Sequence, residues 1–247
     1  MGDSFTEGVG DALPSGELRG WADLVALGLA AVAAEASASP FSYANLAIRG
    51  KLLRPIVEGQ LEPAMNLTPD LLSICGGGND VMRPRVEITG VVALLDQVAE
   101  RALAEGVHVL MLTGANPTKQ LPLGALIQRR GDRLADAARA AFAQRDGITY
   151  VDNWLDPELT GARYWSADRL HLNALGHARI AGNVLAALGV RVPTELTGTE
   201  APDPGNRVRT PAYYRAHVLP WIGRRLSGRS SGDGRSAKRP ALAPVEP

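Results

Sequence analysis

Three polar motifs, far apart in the chain, together hold the groups that nucleophilic catalysis needs. Gly2-Asp3-Ser4 brings a serine hydroxyl, Gly77-Gly78-Asn79-Asp80 brings a side-chain amide, and Asp168-Arg169-Leu170-His171 brings an acid and an imidazole. A serine hydroxyl is a poor nucleophile until a base takes its proton, and that base is commonly a histidine oriented by a carboxylate. The motifs therefore predict Ser4 as a nucleophile, His171 as its base, and Asp168 as the orienting acid.

The same chemistry needs donors for the negative charge that develops on the substrate oxygen, and one such donor is typically worth about 10²–10³ in rate. Asn79 offers a side-chain amide just past a predicted strand. Gly50 offers a backbone N–H and, lacking a Cβ, can approach a substrate closely. The backbone N–H of Ser4 is a third donor if a helix begins near it. We therefore predict an oxyanion hole made of Ser4, Gly50 and Asn79.

Strands and helices alternate along the part of the chain that carries these motifs. The predicted strands are 41–48, 71–75, 107–112 and 148–151, and the predicted helices are 21–32, 51–60, 88–103, 121–143 and 173–188. Such alternation implies a parallel sheet with right-handed crossovers, and the apolar strands fit a sheet covered on both faces. Sites in such sheets gather at the carboxyl ends of the strands. Gly50, Asn79 and Ser4 all fall at such ends.

In order and spacing, these motifs resemble the four blocks of the SGNH hydrolases, also called GDSL-like lipases/acylhydrolases. The blocks here are Gly2-Asp3-Ser4, Asn45 to Gly50, Gly77 to Asp80 and Asp168 to His171, and the resemblance covers about residues 1–190. It implies a three-layer α/β/α sandwich with a central parallel sheet, no metal or other cofactor, and cleavage of carboxylic esters through an acyl-serine intermediate. It also implies a triad of Ser4, Asp168 and His171, with Ser4, Gly50 and Asn79 as the oxyanion hole.

The chain departs from the family pattern at its beginning. Phe5 follows the first motif where leucine is the usual residue, which is a mild variation. In relatives several apolar residues precede the motif and form the first, central strand, whereas only Met1 precedes Gly2 here. We therefore expect the first strand to be truncated, either because the true start lies upstream or because the chain is a fragment.

Composition excludes several other functions. The formal net charge of the 247 residues is zero, which argues against a nucleic-acid partner held by phosphate contacts. The single cysteine, Cys75, excludes an intramolecular disulfide and multi-cysteine zinc sites. The four histidines are scattered and give no close metal-binding pair.

No segment of the sequence is typical of a membrane span or an export signal. The apolar run from Ala22 to Ala34 contains Asp23 and Gly28 and is too short to span a bilayer. The residues before it are acidic, unlike the basic start of a signal peptide. We predict a cytoplasmic protein without stable membrane insertion, whose oligomeric state the sequence does not indicate.

The composition changes after the last predicted helix, and it divides the chain into three parts. Residues 1–198 form the predicted hydrolase domain, 199–226 an extension with a short helix capped by Thr210-Pro211, and 227–247 a disordered basic tail. Gly228-Arg229-Ser230-Ser231-Gly232 in this tail matches the nucleophile motif G-x-S-x-G. That motif requires a strand before it and a helix after it, so we interpret this match as chance.

The sequence therefore predicts a serine esterase or acylhydrolase that acts on a small-molecule acyl ester. Two alternatives stay open. One is a carbohydrate deacetylase or a thioesterase of the same fold. The other is a non-catalytic binding protein with an SGNH-like cleft, because the missing strand raises the question of how Ser4 is held.

Overall fold

The computed structural model of the protein describes residues 1–122, 124–193, 210–227 and 229–246. Its helices are α1 (Ser4–Glu7), α2 (Trp21–Glu35), α3 (Leu53–Met65), α4 (Gly78–Val81), α5 (Ile88–Leu103), α6 (Gly124–Phe142), α7 (Ala174–Ala187), α8 (Pro211–Tyr213) and α9 (Leu219–Leu226). A π-helical turn, Tyr214–Val218, joins the last two, and two 3₁₀ turns cover Glu158–Thr160 and Ala162–Tyr164. The strands are β1 (Ser42–Asn45), β2 (Leu71–Cys75), β3 (His108–Leu112), β4 (Ile148–Val151) and β5 (Arg239–Pro244).

The central sheet consists of β2, β3 and β4, all parallel, in that order. Alternate residues of one strand enter different cores: Val109 and Met111 of β3 pack with α3, α5 and α6, whereas Leu110 and Leu112 pack with α2 and α7. Both faces of the sheet are therefore covered by helices. The predicted α/β/α fold with a central parallel sheet is confirmed.

The amphipathic helices follow the predicted apolar stripes. In α5 the buried positions recur every three or four residues, which places one apolar face on the sheet. The chain leaves this helix through Gly106, whose φ of +74° favours glycine. It then enters β3 two residues later. Because β2, β3 and β4 are parallel, their carboxyl ends all lie at the same edge of the sheet.

Met1 and Gly2 lie beside β2, and this arrangement supports Ser4. Gly2 forms a parallel bridge with Cys75, and the Gln60 side chain binds both backbone groups of Gly2, accepting from its N–H at 2.8 Å and donating to its C=O at 3.0 Å. A buried side chain thus supplies the hydrogen bonds that a neighbouring strand would otherwise make. The expected start upstream of Met1 stays a prediction.

The structure corrects the predicted place of β1. We expected the segment 41–48 to join the parallel sheet, but β1 instead pairs antiparallel with β5, with Tyr43 opposite Ala243 and Asn45 opposite Arg239. The strand also ends earlier than predicted. The Asn45 carboxamide accepts a hydrogen bond from the Ala47 N–H at 3.0 Å, and this local turn competes with further strand pairing.

The predicted disorder of residues 227–247 is wrong for the described part of that tail. Besides β5, Lys238 anchors the segment by donating to the Asp23 carboxylate at 2.6 Å and to the Leu18 carbonyl at 2.9 Å. Composition pointed to disorder because few apolar side chains are present, but strand pairing uses the backbone. The predicted helix after Thr210 is confirmed, whereas the predicted boundary at 198/199 lies outside the described residues.

Two kinds of feature are absent from the described ranges. No helix in them combines the length and the apolar character that crossing a membrane requires. Nor do they bring three or more histidine, cysteine or acidic side chains together as a metal site would.

Candidate active site

Ser4 is the first residue of α1, and the residue before it caps that helix. The Asp3 carboxylate accepts a hydrogen bond from the Phe5 N–H at 3.0 Å, as expected of an N-cap aspartate. After one turn the chain leaves the helix at Gly8, whose φ is +94°. This short turn holds the Ser4 side chain at the carboxyl-terminal edge of the sheet, beside the end of β2.

The acid and the imidazole of the third motif form a well-braced pair. The Asp168 carboxylate binds His171 Nδ1 at 2.6 Å through one oxygen, and its other oxygen accepts from the Ser166 hydroxyl and from the N–H groups of Leu170 and His171. Burial alone would raise the pKa of Asp168, but the contacts with His171 and these N–H groups outweigh it and hold the pKa well below its usual range. Asp168 is therefore an ionised acceptor that fixes the orientation of the imidazole.

The structure brings Ser4 and His171 to one cavity of about 120 Å³. No hydrogen bond joins the Ser4 hydroxyl to the imidazole within 3.5 Å, which is common before substrate tightens a catalytic site. Beyond these two residues the walls are mainly apolar. They include Met111, Leu112, Ile127, Leu134, Trp154 and Trp165. Trp154 and Trp165 therefore line the cavity.

Two of the three predicted oxyanion donors have free N–H groups, but only Ser4 lines the cavity, whereas Gly50 lines a smaller one beside it. Among the described residues, the backbone N–H groups of Ser4 and Gly50 have no hydrogen-bond acceptor. The Gly50 loop is tied to α1 because Glu7 accepts from the Arg49 backbone N–H at 2.7 Å and from its Nε at 2.9 Å. Gly50 itself has a φ of +73°, so the tight turn favours glycine.

The third predicted donor, Asn79, lines the cavity but is already engaged. Its amide donates to the Asp3 carboxylate at 3.0 Å and to the Lys51 carbonyl at 2.9 Å. Asn79 thus connects the nucleophile turn to the loop after Gly50. To stabilise an oxyanion, it has to share or exchange one of these two bonds.

Two acids beside the site have raised pKa values. Burial raises the pKa of Asp3 to about 6, against the opposing effects of the Phe5 N–H and the nearby His171. Burial also raises the pKa of Asp80, whose carboxylate accepts from the Leu53 N–H at 2.9 Å. Asp3 lines the cavity, whereas Asp80 does not. Their hydrogen bonds brace the loops that carry the predicted oxyanion donors.

Sequence reasoning did not find two parts of the site. The first is the Glu7–Arg49 pair, whose two residues are far apart in sequence and belong to no short motif. The second is the packing of Trp154 on α6, where a Cβ at Gly131 would lie 2.0 Å from the indole ring. A glycine inside a predicted amphipathic helix was the available signal, since it is unfavourable there without a packing reason.

The comparisons with known proteins identify the family of this chain. The family model of the GDSL-like Lipase/Acylhydrolase family matches residues 1–179. A search of curated proteins finds no match.

Three solved structures with a similar fold are described as hydrolases. A mutant of Axe2, an acetyl-xylooligosaccharide esterase from Geobacillus stearothermophilus, aligns with a TM-score of 0.61 and 22% identity over 77% of this chain and 92% of its own. The lipase Lip_vut3 from a goat rumen metagenome aligns with a TM-score of 0.58 and 17% identity, over 78% of this chain and 97% of its own. LAE5, an α/β hydrolase from the metagenome of Lake Arreo in Spain, aligns with a TM-score of 0.56 and 23% identity, over 76% of this chain and 92% of its own.

Proposed function

The chain belongs to the GDSL-like lipase/acylhydrolase family and is a serine ester hydrolase, and we propose that it cleaves esters of short acyl groups through an acyl intermediate on Ser4. The observation that carries the proposal is the imidazole of His171, which Asp168 braces and which lines the same cavity as Ser4. Catalytic mutants of the similar esterase Axe2 change one serine, one histidine and one aspartate, the same three residue types.

In the first half of the reaction, the Ser4 oxygen attacks the ester carbonyl carbon while His171 Nε2 takes the hydroxyl proton. Asp168 keeps the Nδ1 proton in place and stabilises the imidazolium that forms. The carbonyl oxygen becomes an oxyanion that the predicted donors bind: the Ser4 N–H and the Asn79 amide from the cavity, and the Gly50 N–H from the adjoining loop. When the C–O bond to the alcohol breaks, His171 returns the proton to the leaving oxygen, and the acyl group stays on Ser4.

In the second half, water attacks the acyl carbon and loses a proton to His171. The tetrahedral intermediate collapses, the bond to the Ser4 oxygen breaks, and His171 protonates that oxygen. The products are the free acid and the regenerated serine. Asp3 contributes indirectly, because its bond to Asn79 connects the nucleophile turn with the oxyanion loop.

The size of the cavity supports a short acyl group. Its volume of about 120 Å³ is slightly below the roughly 150 Å³ of an apolar cavity that holds one benzene molecule. The Trp154 indole closes one wall and is fixed by a hydrogen bond from its Nε1 to Asp132 at 2.8 Å. We therefore expect acetyl and butyryl esters to react faster than esters of long fatty acids.

Substitution of the nucleophile tests the proposal. Ser4→Ala is expected to abolish turnover of p-nitrophenyl acetate and butyrate and to remove labelling by a fluorophosphonate probe, with the circular dichroism spectrum unchanged. Ser15→Ala is the matched control, because Ser15 is exposed and lies outside the cavity. Full activity of Ser4→Ala would exclude Ser4 from the mechanism.

The open alternatives are separated by the substrates. A panel of p-nitrophenyl esters, acetylated oligosaccharides and acyl thioesters, compared by kcat/KM, distinguishes an esterase from a deacetylase and a thioesterase. A non-catalytic binding protein would turn over none of them and would not react with the fluorophosphonate.

A further inference from the structure

The C-terminal extension, residues 210–246, contacts both loops that carry the site. At one end, the Tyr213 hydroxyl donates to the Asp168 carbonyl at 3.2 Å, and the Arg169 guanidinium lies 4.4 Å from the Tyr213 ring centre. Further along, the turn at Ser230 and Ser231 packs on the Gly50 loop. The described parts of the extension thus reach from the Asp168 loop to the oxyanion loop.

The contact at the oxyanion loop leaves little free space. A Cβ at Gly50 would lie 2.5 Å from the Ser230 hydroxyl oxygen, and a Cβ at Gly232 would lie 2.1 Å from the Arg49 carbonyl oxygen. Two glycines therefore permit this close approach. The turn is also closed internally, because the Ser230 N–H donates to the Asp233 carboxylate at 2.8 Å.

This packing creates a second cavity, of about 70 Å³, next to the first. Asn79 and Met82 line both cavities, so the two meet at one predicted oxyanion donor, and Gly50, another, lines the second cavity. Arg83, Arg224 and Arg229 also line the second cavity, and none of the described residues that line it is acidic. We call it the basic cavity.

The three arginines are not neutralised by partners in the described ranges. None of them forms an ion pair there, whereas Arg49, Arg101, Arg139, Arg145, Arg163 and Arg179 all do. Two acids near this region each accept a backbone N–H: Asp233 from Ser230 and Asp80 from Leu53. Asp80 also interacts electrostatically with Arg83, without forming an ion pair with it. Guanidinium groups without partners around one small cavity are a favourable environment for a carboxylate or a phosphate.

We propose that the basic cavity binds an anionic group in the alcohol part of the substrate, so that the preferred esters are short-chain esters of negatively charged alcohols. The inference rests on the proposed function. The apolar cavity takes the acyl group, and the alcohol then extends past Asn79 toward the arginines. A water molecule occupies about 30 Å³ of liquid, so 70 Å³ accommodates a carboxylate in place of about two waters.

The test compares 4-acetoxybenzoate with its neutral isostere 4-acetoxybenzamide, which differ in charge and share the acyl group. The native protein is expected to show a higher kcat/KM for the anion. Arg224→Ala and Arg229→Ala are each expected to lower the ratio of the two kcat/KM values about tenfold, the scale of one charge-assisted hydrogen bond. Arg54→Ala is the matched control, since it removes an exposed positive charge outside both cavities and should keep the ratio.

Two results would overturn the proposal that the basic cavity binds an anionic alcohol. A ratio that neither arginine substitution changes would mean that the basic cavity does not bind the anion. A preference for p-nitrophenyl hemisuccinate over p-nitrophenyl butyrate that is lost in the same variants would place the anion in the acyl group instead.

A binding measurement separates this inference from the proposed function. Calorimetric titration of Ser4→Ala with 4-acetoxybenzoate should show binding that Arg229→Ala weakens about tenfold, whether or not the native protein turns the ester over. If such binding occurs while the native protein hydrolyses neither ester, the proposed function fails and the anion site stands. If the native protein hydrolyses both esters and Arg229→Ala does not weaken binding, the proposed function stands and the anion site fails.

Discussion

Replacing Asp3 by asparagine should make the stability of the protein less sensitive to pH. Asp3 is only 6% exposed, and burial raises its pKa from the usual 3.8 to about 6. A carboxyl with a higher pKa in the folded state binds its proton more tightly when folded. Its contribution to stability is therefore most favourable below pH 3.8 and is lost as the pH rises to about 6.

The magnitude follows from the size of the shift. The difference between the two pKa values above corresponds to about 3 kcal/mol at full ionisation. Most of this, about 2 kcal/mol, is lost between pH 4 and pH 8, because the unfolded carboxyl is already partly ionised at pH 4. An asparagine is neutral throughout, and its oxygen can still accept from the Phe5 N–H. Any cost at the Asn79 contact does not depend on pH.

The assay is urea unfolding followed by tryptophan fluorescence from pH 4 to pH 8. The free energy of unfolding of Asp3→Asn, relative to the native protein, should rise by about 2 kcal/mol across this range, mostly below pH 6.5. Asp156→Asn is the matched control, at a carboxyl whose pKa is shifted in the opposite direction. Burial opposes ionisation at Asp156 too, but hydrogen bonds from Arg179 and Asn183 outweigh it and lower the pKa below 3.8. The contribution of this carboxylate is lost only at lower pH, so the destabilisation by Asp156→Asn should change little from pH 5 to pH 8.

A difference between Asp3→Asn and the native protein that stays constant from pH 4 to pH 8 would refute the reasoning. It would mean that Asp3 titrates near its usual pKa when folded, and that the Asn79 amide and the Phe5 N–H fully compensate for its burial.

Three further substitutions test single contacts. Asp168→Asn should lower kcat for p-nitrophenyl acetate by roughly 10³–10⁴, because an amide N–H in place of the acceptor oxygen disfavours the required His171 tautomer; a loss below tenfold would contradict an orienting role. Gly131→Ala places a methyl carbon 2.0 Å from the Trp154 ring. We therefore expect the free energy of unfolding in urea to fall by about 1–3 kcal/mol and the ratio of butyrate to acetate activity to decrease. Native stability and an unchanged ratio would show that the indole moves freely. Tyr213→Phe removes the bond to the Asp168 carbonyl and should cost about 1 kcal/mol in thermal unfolding; an unchanged melting temperature would mean that this bond is dispensable.

The sequence predicted the sheet well where local pattern decides the structure. The bounds of β2 agree with the prediction, because a short apolar run lies between Pro69-Asp70 and a glycine triplet. The apolar stripe of α5 predicted a helix over 88–103, and the helix has these bounds in the structure. The polar motifs could be brought together without coordinates, since parallel strands place their carboxyl ends at one edge.

Other features of the site depend on distances between loops, which periodicity does not report. The sequence presents Asn79 as a free donor, yet in the folded chain its amide binds both Asp3 and Lys51. The support of Ser4 also depends on a contact between residues that are far apart in the sequence. Nothing near the first motif indicates that the Gln60 side chain takes the hydrogen-bonding role of a neighbouring strand for Gly2.

The tail shows why composition alone was a poor guide. Low apolar content means that a segment cannot bury enough surface to fold by itself, and β5 is indeed mostly exposed. Its order comes from the domain: the edge of β1, the Asp23 carboxylate and the Gly50 loop each supply a partner. Because the docked turn and the oxyanion loop share a contact surface, their stabilities are coupled, and the coupling is reciprocal. Release of the docked turn would therefore remove contacts that hold the Gly50 loop in place.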